Sequence, residues 1–143
     1  LVLIKQTIHL FNSNEIKKLL KKAKKNLTPN GKIFIFSLDV YKNEIPTFRL
    51  MKSKLFKSLT RDKKNLNMII NSNTQTIKRK FIYKVKITKR KYLDMIKNKY
   101  ISTLLTFTEK ELLAGSKELN LKYKKNLRFK DKLICLILQN SFK

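Results

Sequence analysis

The first third of the chain alternates continuous apolar runs with an amphipathic stretch. Residues 1–4 and 33–36 are uninterrupted apolar runs, and such runs predict strands that are covered on both faces. Asn12, followed three residues later by Glu15, predicts a capping box at a helix start. Apolar residues then recur at helical spacing, at Ile16, Leu19, Leu20, Ala23 and Leu27. The pattern predicts a right-handed strand–helix–strand unit over residues 1–38.

A tight turn is predicted where this helix meets the second strand. Residues 27–31 read Leu-Thr-Pro-Asn-Gly. Pro29 fixes its own φ, and the pair Asn30-Gly31 tolerates positive φ. The connection is short, which favours parallel pairing of the two strands.

The middle of the chain is less regular. Residues 39–60 show no period and contain Pro46, so we expect a loop or a lid there. A short helix is predicted from Asp62, with an apolar side formed by Leu66, Ile69 and Ile70. Residues 81–87 then alternate, with Phe81, Tyr83, Val85 and Ile87 on one face and lysines on the other. This alternation predicts a half-exposed strand at a sheet edge.

The last third combines helices with one very apolar strand. A helical spacing links Tyr92, Met95, Ile96 and Tyr100, and a second capping box, Thr108 with Glu111, precedes Leu112, Leu113 and Leu119. Residues 133–138 are all apolar, which places the strand over 131–138 inside the sheet, next to 81–87.

These elements predict a single α/β domain, with lid and helical segments over 39–80 and 88–130. The strands 81–87 and 131–138 form its C-terminal strand pair. The first strand has only one good neighbour, 32–38, so we expect an incomplete domain with an exposed apolar edge beside residues 1–5.

The charge balance adds a possible partner. The chain has 35 Lys and Arg against 9 Asp and Glu, a net charge of +26, which would favour binding to a polyanion. Only five of the basic residues are Arg, the better reader of phosphates and bases. Lys, Asn and Ile share A/T-rich codons, and the chain has 30, 13 and 15 of them respectively. A functional basic face and a lysine-rich coding bias both remain open.

Several classes of site are excluded by the residue counts. Two glycines cannot form a glycine-rich phosphate or dinucleotide loop. His9 and Cys135 are the only histidine and cysteine, so no metal site of the usual zinc type is expected. A buried, inert Cys135 with no disulfide indicates a reducing, cytoplasmic location. No apolar run approaches the roughly 20 residues of a membrane helix, so no membrane partner is expected.

The position of a few polar residues points to a site. Gln6, Thr7 and His9 follow directly after the first predicted strand. Ligands of open parallel sheets bind beyond the carboxyl ends of the strands, so these residues are the candidate site. Apolar neighbours of His9 leave a purely structural role for its side chain open.

Residues 1–11 (LVLIKQTIHLF), the following helix and residues 27–35 (LTPNGKIFI) resemble the second half of a class I SAM-dependent methyltransferase. In that family the fourth strand ends in a segment with His and Phe, and an L-x-P-G-G turn leads into the fifth strand. Here Asn30 stands in place of the first glycine, and Leu10 where a second His is common. The resemblance covers residues 1–38, and the remainder follows the family's order of elements.

The resemblance implies a partial Rossmann-like, doubly wound sheet: the C-terminal strands of the seven-stranded methyltransferase fold, the last one antiparallel. The family's glycine-rich loop, ribose-binding acidic residue and third strand would all precede position 1. We therefore expect this chain to bind S-adenosyl-L-methionine (SAM) weakly or not at all, and to be an enzyme only when an N-terminal half completes it.

The same resemblance assigns roles to individual residues. Lys5 and Gln6 would lie beside SAM, while Thr7 and His9 would face the transferred methyl group and the substrate, with His9 the candidate catalytic residue. Tyr100 and Ser102 would belong to a lid over the substrate. The methyl acceptor stays open.

Two alternatives accompany this hypothesis. The first is a basic nucleic-acid-binding protein without catalysis, which predicts lysines clustered on one face. The second joins the two ideas, as an RNA methyltransferase fragment that holds its substrate with lysines. The plain methyltransferase hypothesis predicts lysines spread over all exterior helices.

Overall fold

A computed structural model of the chain describes residues 1–39, 43–73 and 75–139. Its strands are β1 (Val2–Lys5), β2 (Lys32–Leu38), β3 (Thr76–Thr88) and β4 (Asn126–Gln139). Its helices are α1 (Ser13–Lys25), α2 (Arg49–Asn71), α3 (Lys89–Lys97) and α4 (Glu109–Lys122), with single 3-10 turns at Ile8–Leu10 and Ser102–Leu104.

The strands form one mixed sheet in the order β1-β2-β4-β3. β1 pairs in parallel with β2, from Val2 opposite Ile33 to Lys5 opposite Phe36. β4 runs antiparallel to β2, with Leu138 opposite Ile33. The predicted edge position of the 81–87 strand and interior position of the 131–138 strand are both confirmed. The result is an α/β fold compatible with a Rossmann-like sheet.

Both predicted capping boxes are present. The side chain of Asn12 accepts hydrogen bonds from the backbone N–H groups of Asn14 and Glu15, and the Glu15 carboxylate accepts one from Asn12 N–H at 2.7 Å. Thr108 and Glu111 make the same reciprocal pair at the start of α4. Local sequence therefore determines where these two helices begin, because the bonds satisfy backbone N–H groups that the helix leaves free.

The turn before β2 forms for a different reason from the one expected. Neither Asn30 nor Gly31 has a positive φ. Gly31 is needed because a Cβ there would lie 2.8 Å from Leu27 Cβ and 2.9 Å from the carbonyl oxygen of Thr28. The glycine thus permits the turn to close tightly on its own first residues, Leu27 and Thr28.

The predicted boundaries in the middle of the chain are wrong. α2 begins at Arg49, so residues 49–60 are helical, and Asp62 lies within the helix rather than at its start. Residues 40–42 of the predicted loop lie outside the described residues. The longer helix buries a stripe formed by Met51, Leu55, Leu59, Leu66 and Ile69. Burial of this stripe stabilises the helix where local signals for its start are weak.

Two strands are more exposed than the sequence suggests. β1 is not covered on both faces: Ile4 is buried, but Leu3 is 61% exposed. β3 begins at Thr76, and on its predicted apolar face Phe81 and Tyr83 are exposed, while Val85 and Ile87 are half-buried. The reason is the same for both strands. They are the outer strands of the sheet, and an edge strand has a neighbour on one side only.

Two predicted core residues of the helices are also exposed. α3 ends at Lys97, and Tyr100, which follows it, is 77% exposed. Leu113 is 60% exposed, because the buried side of α4 is formed by Leu112, Gly115 and Leu119.

The chain divides into two compact units. Unit 1 comprises Leu1–Asn43, Leu59–Ile82 and Lys132–Lys143, and unit 2 comprises Glu44–Ser58 and Tyr83–Asp131. The core of unit 1 is aliphatic, with α1 and the last part of α2 packed on Ile33, Ile35, Ile134, Leu136 and Leu138. The core of unit 2 contains the aromatic residues Phe48, Tyr92 and Phe107. The prediction of a single domain stays a prediction.

Candidate site at the carboxyl end of β1

The chain leaves β1 through a strained residue. Gln6 has a φ of 50°, in the left-handed region, and its backbone N–H donates to the carbonyl oxygen of Phe36 at 2.8 Å. A non-glycine residue in this region costs about 1–2 kcal/mol, which the surrounding structure must offset. Such outliers concentrate at functional sites, so Gln6 marks this end of β1 as a candidate site. The side chains of Lys5, Gln6 and Thr7 are all exposed.

A single 3-10 turn, Ile8–Leu10, follows. The Thr7 carbonyl oxygen accepts a hydrogen bond from Leu10 N–H at 2.9 Å, and Ile8 is only 1% exposed. Ile8 anchors the turn in the core of unit 1, whereas His9 is half-buried. The anchor positions His9 and leaves the preceding polar residues open to solvent.

α2 contributes the polar residues that lie beside this turn. Arg61 Nη2 donates to the backbone carbonyl oxygen of His9 at 2.8 Å and lies 3.3 Å from Asp62 Oδ1. One turn further along α2, Asn65 Oδ1 accepts a hydrogen bond from Ser13 Oγ at 3.2 Å. Arg61 therefore attaches the segment after β1 to the helix, and Asn65 attaches the start of α1.

Sequence reasoning missed Arg61 because it started the helix too late, and it missed Asn65 because the contact with Ser13 joins residues 52 positions apart. The sequence nevertheless contains a signal that this part of α2 has a special role. The apolar stripe of α2 runs through Leu55, Leu59, Leu66 and Ile69, and Asp62 occupies a position of that stripe. A carboxylate on an apolar helix face is costly to bury, and this indicates a functional or paired role.

Asp62 is 5% exposed. Burial raises the pKa of its carboxyl group above the ordinary value, while the nearby charges of Arg61 and His9 act to lower the pKa. Desolvation dominates because the Arg61 side chain is 55% exposed and its charge is partly screened by water. Asp62 therefore holds a proton more tightly than a surface aspartate does.

The imidazole of His9 has an unused polar atom. Nε2 is buried and has no hydrogen-bond partner among the described residues. A buried polar atom without a partner costs free energy, and a ligand atom could satisfy it. The combination of a free imidazole nitrogen and a nearby buried carboxyl group can accept or deliver a proton.

A second buried carboxyl group follows β2. Asp39 is 4% exposed, and its backbone N–H donates to the Lys132 carbonyl oxygen at 2.7 Å. Because β1 and β2 are parallel and paired through Lys5 and Phe36, their carboxyl ends lie at the same edge of the sheet. Asp39 thus belongs to the same end of unit 1 as His9.

The two predicted lid residues belong to unit 2. Tyr100 is exposed, and its backbone N–H donates to the Met95 carbonyl oxygen at 2.9 Å. Ser102 is exposed at the start of the second 3-10 turn, where its carbonyl oxygen accepts from Leu105 N–H at 3.1 Å. Both roles stay predictions, as do those of Lys5, Gln6, Thr7 and His9.

The described residues hold no group of three or more His, Cys, Asp or Glu side chains that could bind a metal ion. Within the same ranges, no helix combines the length and the apolar character needed to cross a membrane. Comparison of the chain with protein-family models and with curated proteins gives no match.

Proposed function

We propose that this chain is the C-terminal part of a class I SAM-dependent methyltransferase. The observation that carries the proposal is the strand order β1-β2-β4-β3, with β4 antiparallel to β2 and inserted between β2 and β3. The family that residues 1–38 resemble places its last strand in this way, antiparallel between the fifth and sixth strands. A doubly wound sheet is mostly parallel, and an antiparallel strand in such a sheet usually lies at its edge, so the interior position of β4 is informative.

The residues after β1 fit one side of a SAM site. Lys5, Gln6 and Thr7 project from the carboxyl end of a parallel strand, where such sheets bind ligands, and Gln6 has the backbone strain that often accompanies a site. The chain has only two glycines, Gly31 and Gly115, and neither follows a strand, so no glycine-rich loop is available for the cofactor. The fit is partial, which supports weak or absent binding by these residues alone.

In this proposal His9 moves a proton. Bound SAM supplies an electrophilic methyl group, and the acceptor atom that attacks this group loses a proton. His9 Nε2 accepts that proton, because it is buried and free of other partners. Asp62 is close enough for its charge to stabilise the imidazolium that results, and Arg61 holds the backbone of His9 in place.

Nucleic acid is a second candidate partner. The exposed side chains of Lys78, Lys80, Lys84 and Lys86 occupy alternate positions of β3 in two pairs, about 7 Å apart within each pair, with Ile82 between the pairs. Exposed lysines also occur on α1, α2, α3 and α4, which is the spread that the methyltransferase hypothesis predicts. This spread favours a methyltransferase over a protein whose sole function is nucleic-acid binding. In a methyltransferase, the β3 lysines would hold RNA as the methyl acceptor.

The test is the complete open reading frame that encodes these residues. We expect it to contain a glycine-rich loop motif roughly one hundred residues before position 1, a distance set by the size of a complete doubly wound domain. Its product should bind SAM in isothermal calorimetry, whereas residues 1–143 alone should show no micromolar binding. A frame without the motif, or a product that transfers no labelled methyl group to RNA, protein or small molecules from cell extract, contradicts the proposal.

A further inference from the structure

Within unit 1 the helices pack on one face of the sheet, and the core on that side contains no side chain of the other face. Ile33 and Ile35 of β2 and Leu136 of β4 contact α1 and α2 in the core. Side chains alternate along a strand, so the intervening residues point to the opposite face. We name this opposite surface the open face. It is formed by Leu3, Phe34, Phe36, Phe81, Leu133 and Ile137.

The register brings these side chains together. Leu3 lies opposite Phe34, and Phe34 lies opposite Ile137. The rings of Phe36 and Phe81 are 5.6 Å apart. Phe36 pairs with Cys135 of β4, which is 0% exposed. The contact between the two rings gives the open face an aromatic centre.

The large apolar residues of the open face are accessible to solvent to different extents. Leu3 is 61% and Phe81 49% exposed, and Phe34, Phe36, Leu133 and Ile137 are each partly exposed. Scattered apolar residues on a surface need no explanation, but contiguous ones mark an interaction site. An apolar sheet face must be buried against another element, and in α/β folds that element is a helix.

Positive charges surround this apolar centre. Lys5 and Lys32 share the face with Phe36 and Phe34, and Arg79 precedes Phe81 by two residues on β3. All three side chains are exposed, and the strand positions of unit 1 that share this face carry no Asp or Glu among the described residues. A second copy of this chain would place the same cations against each other, so a copy is a poor occupant.

We propose that the open face docks an amphipathic α-helix with an apolar stripe and acidic flanks. The stripe packs on Leu3, Phe36 and Phe81, and the acidic side chains lie beside Lys5, Lys32 and Arg79. The inference depends only on the sheet of unit 1. It holds whether or not the protein transfers methyl groups.

The experiment uses the 143-residue chain and two fluorescent 21-residue peptides of the same apolar pattern, one with glutamate flanks and one with lysine flanks. We expect the glutamate peptide to bind in fluorescence anisotropy, at least tenfold more tightly than the lysine peptide. Its affinity should fall as salt is raised from 50 to 300 mM, because screening weakens exposed charge pairs. Binding of both peptides with equal affinity overturns the charge assignment.

Point variants locate the binding surface. Leu3→Ser and Arg79→Glu should each weaken binding of the glutamate peptide several-fold, while Leu121→Ser, at an 86% exposed leucine of α4, should not. Far-UV circular dichroism checks that each variant is folded. Three results contradict the proposal: no binding by the folded wild-type chain, an equal effect of Leu121→Ser, or a wild-type dimer that Leu3→Ser dissociates. The last result would assign the open face to a second copy.

Discussion

The two units differ in what they bury. Unit 2 has an apolar core with aromatic rings, in which Phe48 packs edge-on against Phe107 at 5.5 Å between centroids. Unit 1 has an aliphatic core, and it contains all the polar residues that are buried as whole side chains among the described residues. These are Ser37, Asp39, Asp62 and Asn65. Burial of polar groups lowers stability unless they are paired, so proteins tolerate it mainly where function requires it.

The difference indicates a division of roles. Unit 2 has the packing of a structural scaffold, whereas unit 1 contains the four buried polar side chains and the open face. Substitutions in unit 2 should therefore change stability, and those in unit 1 should chiefly change ligand binding or pH dependence. The following predictions test this comparison, from the largest expected effect to the smallest.

Truncation of Phe48 should have the largest effect. Its ring contacts Phe107 and lies over Gly115, so Phe48→Ala leaves a cavity in the core of unit 2. We expect a loss of about 3–5 kcal/mol in the free energy of unfolding, measured by urea titration with circular dichroism. Asn65→Ala, in unit 1, is the comparison and should cost clearly less. A larger loss for Asn65→Ala would contradict the assignment of the scaffold to unit 2.

Gly115→Ala should be the next most damaging change. The added Cβ would lie 2.7 Å from the Phe48 ring, which is fixed by its neighbours. We expect a cost of about 1–3 kcal/mol from overpacking, again from urea titration. Ala114→Gly, at the exposed neighbouring position, serves as a control for helix propensity alone. If the overpacking explanation is correct, the double variant Phe48→Leu/Gly115→Ala loses less free energy of unfolding than the two single variants lose in sum.

The two capping boxes allow a matched comparison between the units. Asn12→Ala in unit 1 and Thr108→Ala in unit 2 each remove a hydrogen bond to the first turn of a helix. Each should lower the free energy of unfolding by about 1 kcal/mol. Near-equal losses would show that helix starts are local features. A loss confined to one unit would mean that the other helix start is held by tertiary packing.

The smallest effect should be the pH dependence that Asp62 contributes. Burial raises the pKa of Asp62 in the folded protein above its unfolded value, close to 3.8. The folded state therefore binds the proton more tightly, and the stability from this group is fully present below the unfolded pKa. It is lost as pH rises through the folded pKa. Asp62→Asn should remove this loss, so the variant should gain stability relative to wild type as pH rises from about 3 to 7.

Chemical denaturation at several pH values measures the difference. Asp94→Asn, at an exposed aspartate of α3, is the matched control for the change of Asp to Asn at the protein surface. If the free energy of unfolding of Asp62→Asn instead fell relative to that of wild type as pH rises, the result would contradict the desolvation of Asp62. It would favour Arg61 as the dominant influence on the pKa of Asp62.

Features with a signal in a few consecutive residues were predicted correctly, whereas features that depend on distant contacts were not. The helix starts at Asn12 and Thr108 were predicted correctly, because a capping box is a feature of four consecutive residues. The start of α2 was placed 13 residues late, at Asp62, because no capping signal lies before Arg49 and a distant core buries the helix stripe. The exposed Tyr83 was expected in the core, since periodicity gives a strand two faces without saying what covers them.

The candidate site was predicted in part, for a similar reason. Gln6, Thr7 and His9 were identified because they follow a strand directly in sequence. Their neighbours Arg61, Asp62 and Asn65 come from a helix about fifty residues later, and only the tertiary structure brings them to the same end of unit 1.

The sequence by itself determined the α/β class, the capped helices and the edge and interior strands, since these follow from periodicity and from hydrogen bonds between near neighbours. The tertiary structure alone decided which sheet face stays open, which carboxyl groups are desolvated and which His9 atom lacks a partner. Those properties depend on what lies across space from a residue. The amino-acid sequence specifies these spatial neighbours only through the folded arrangement of all its apolar surfaces.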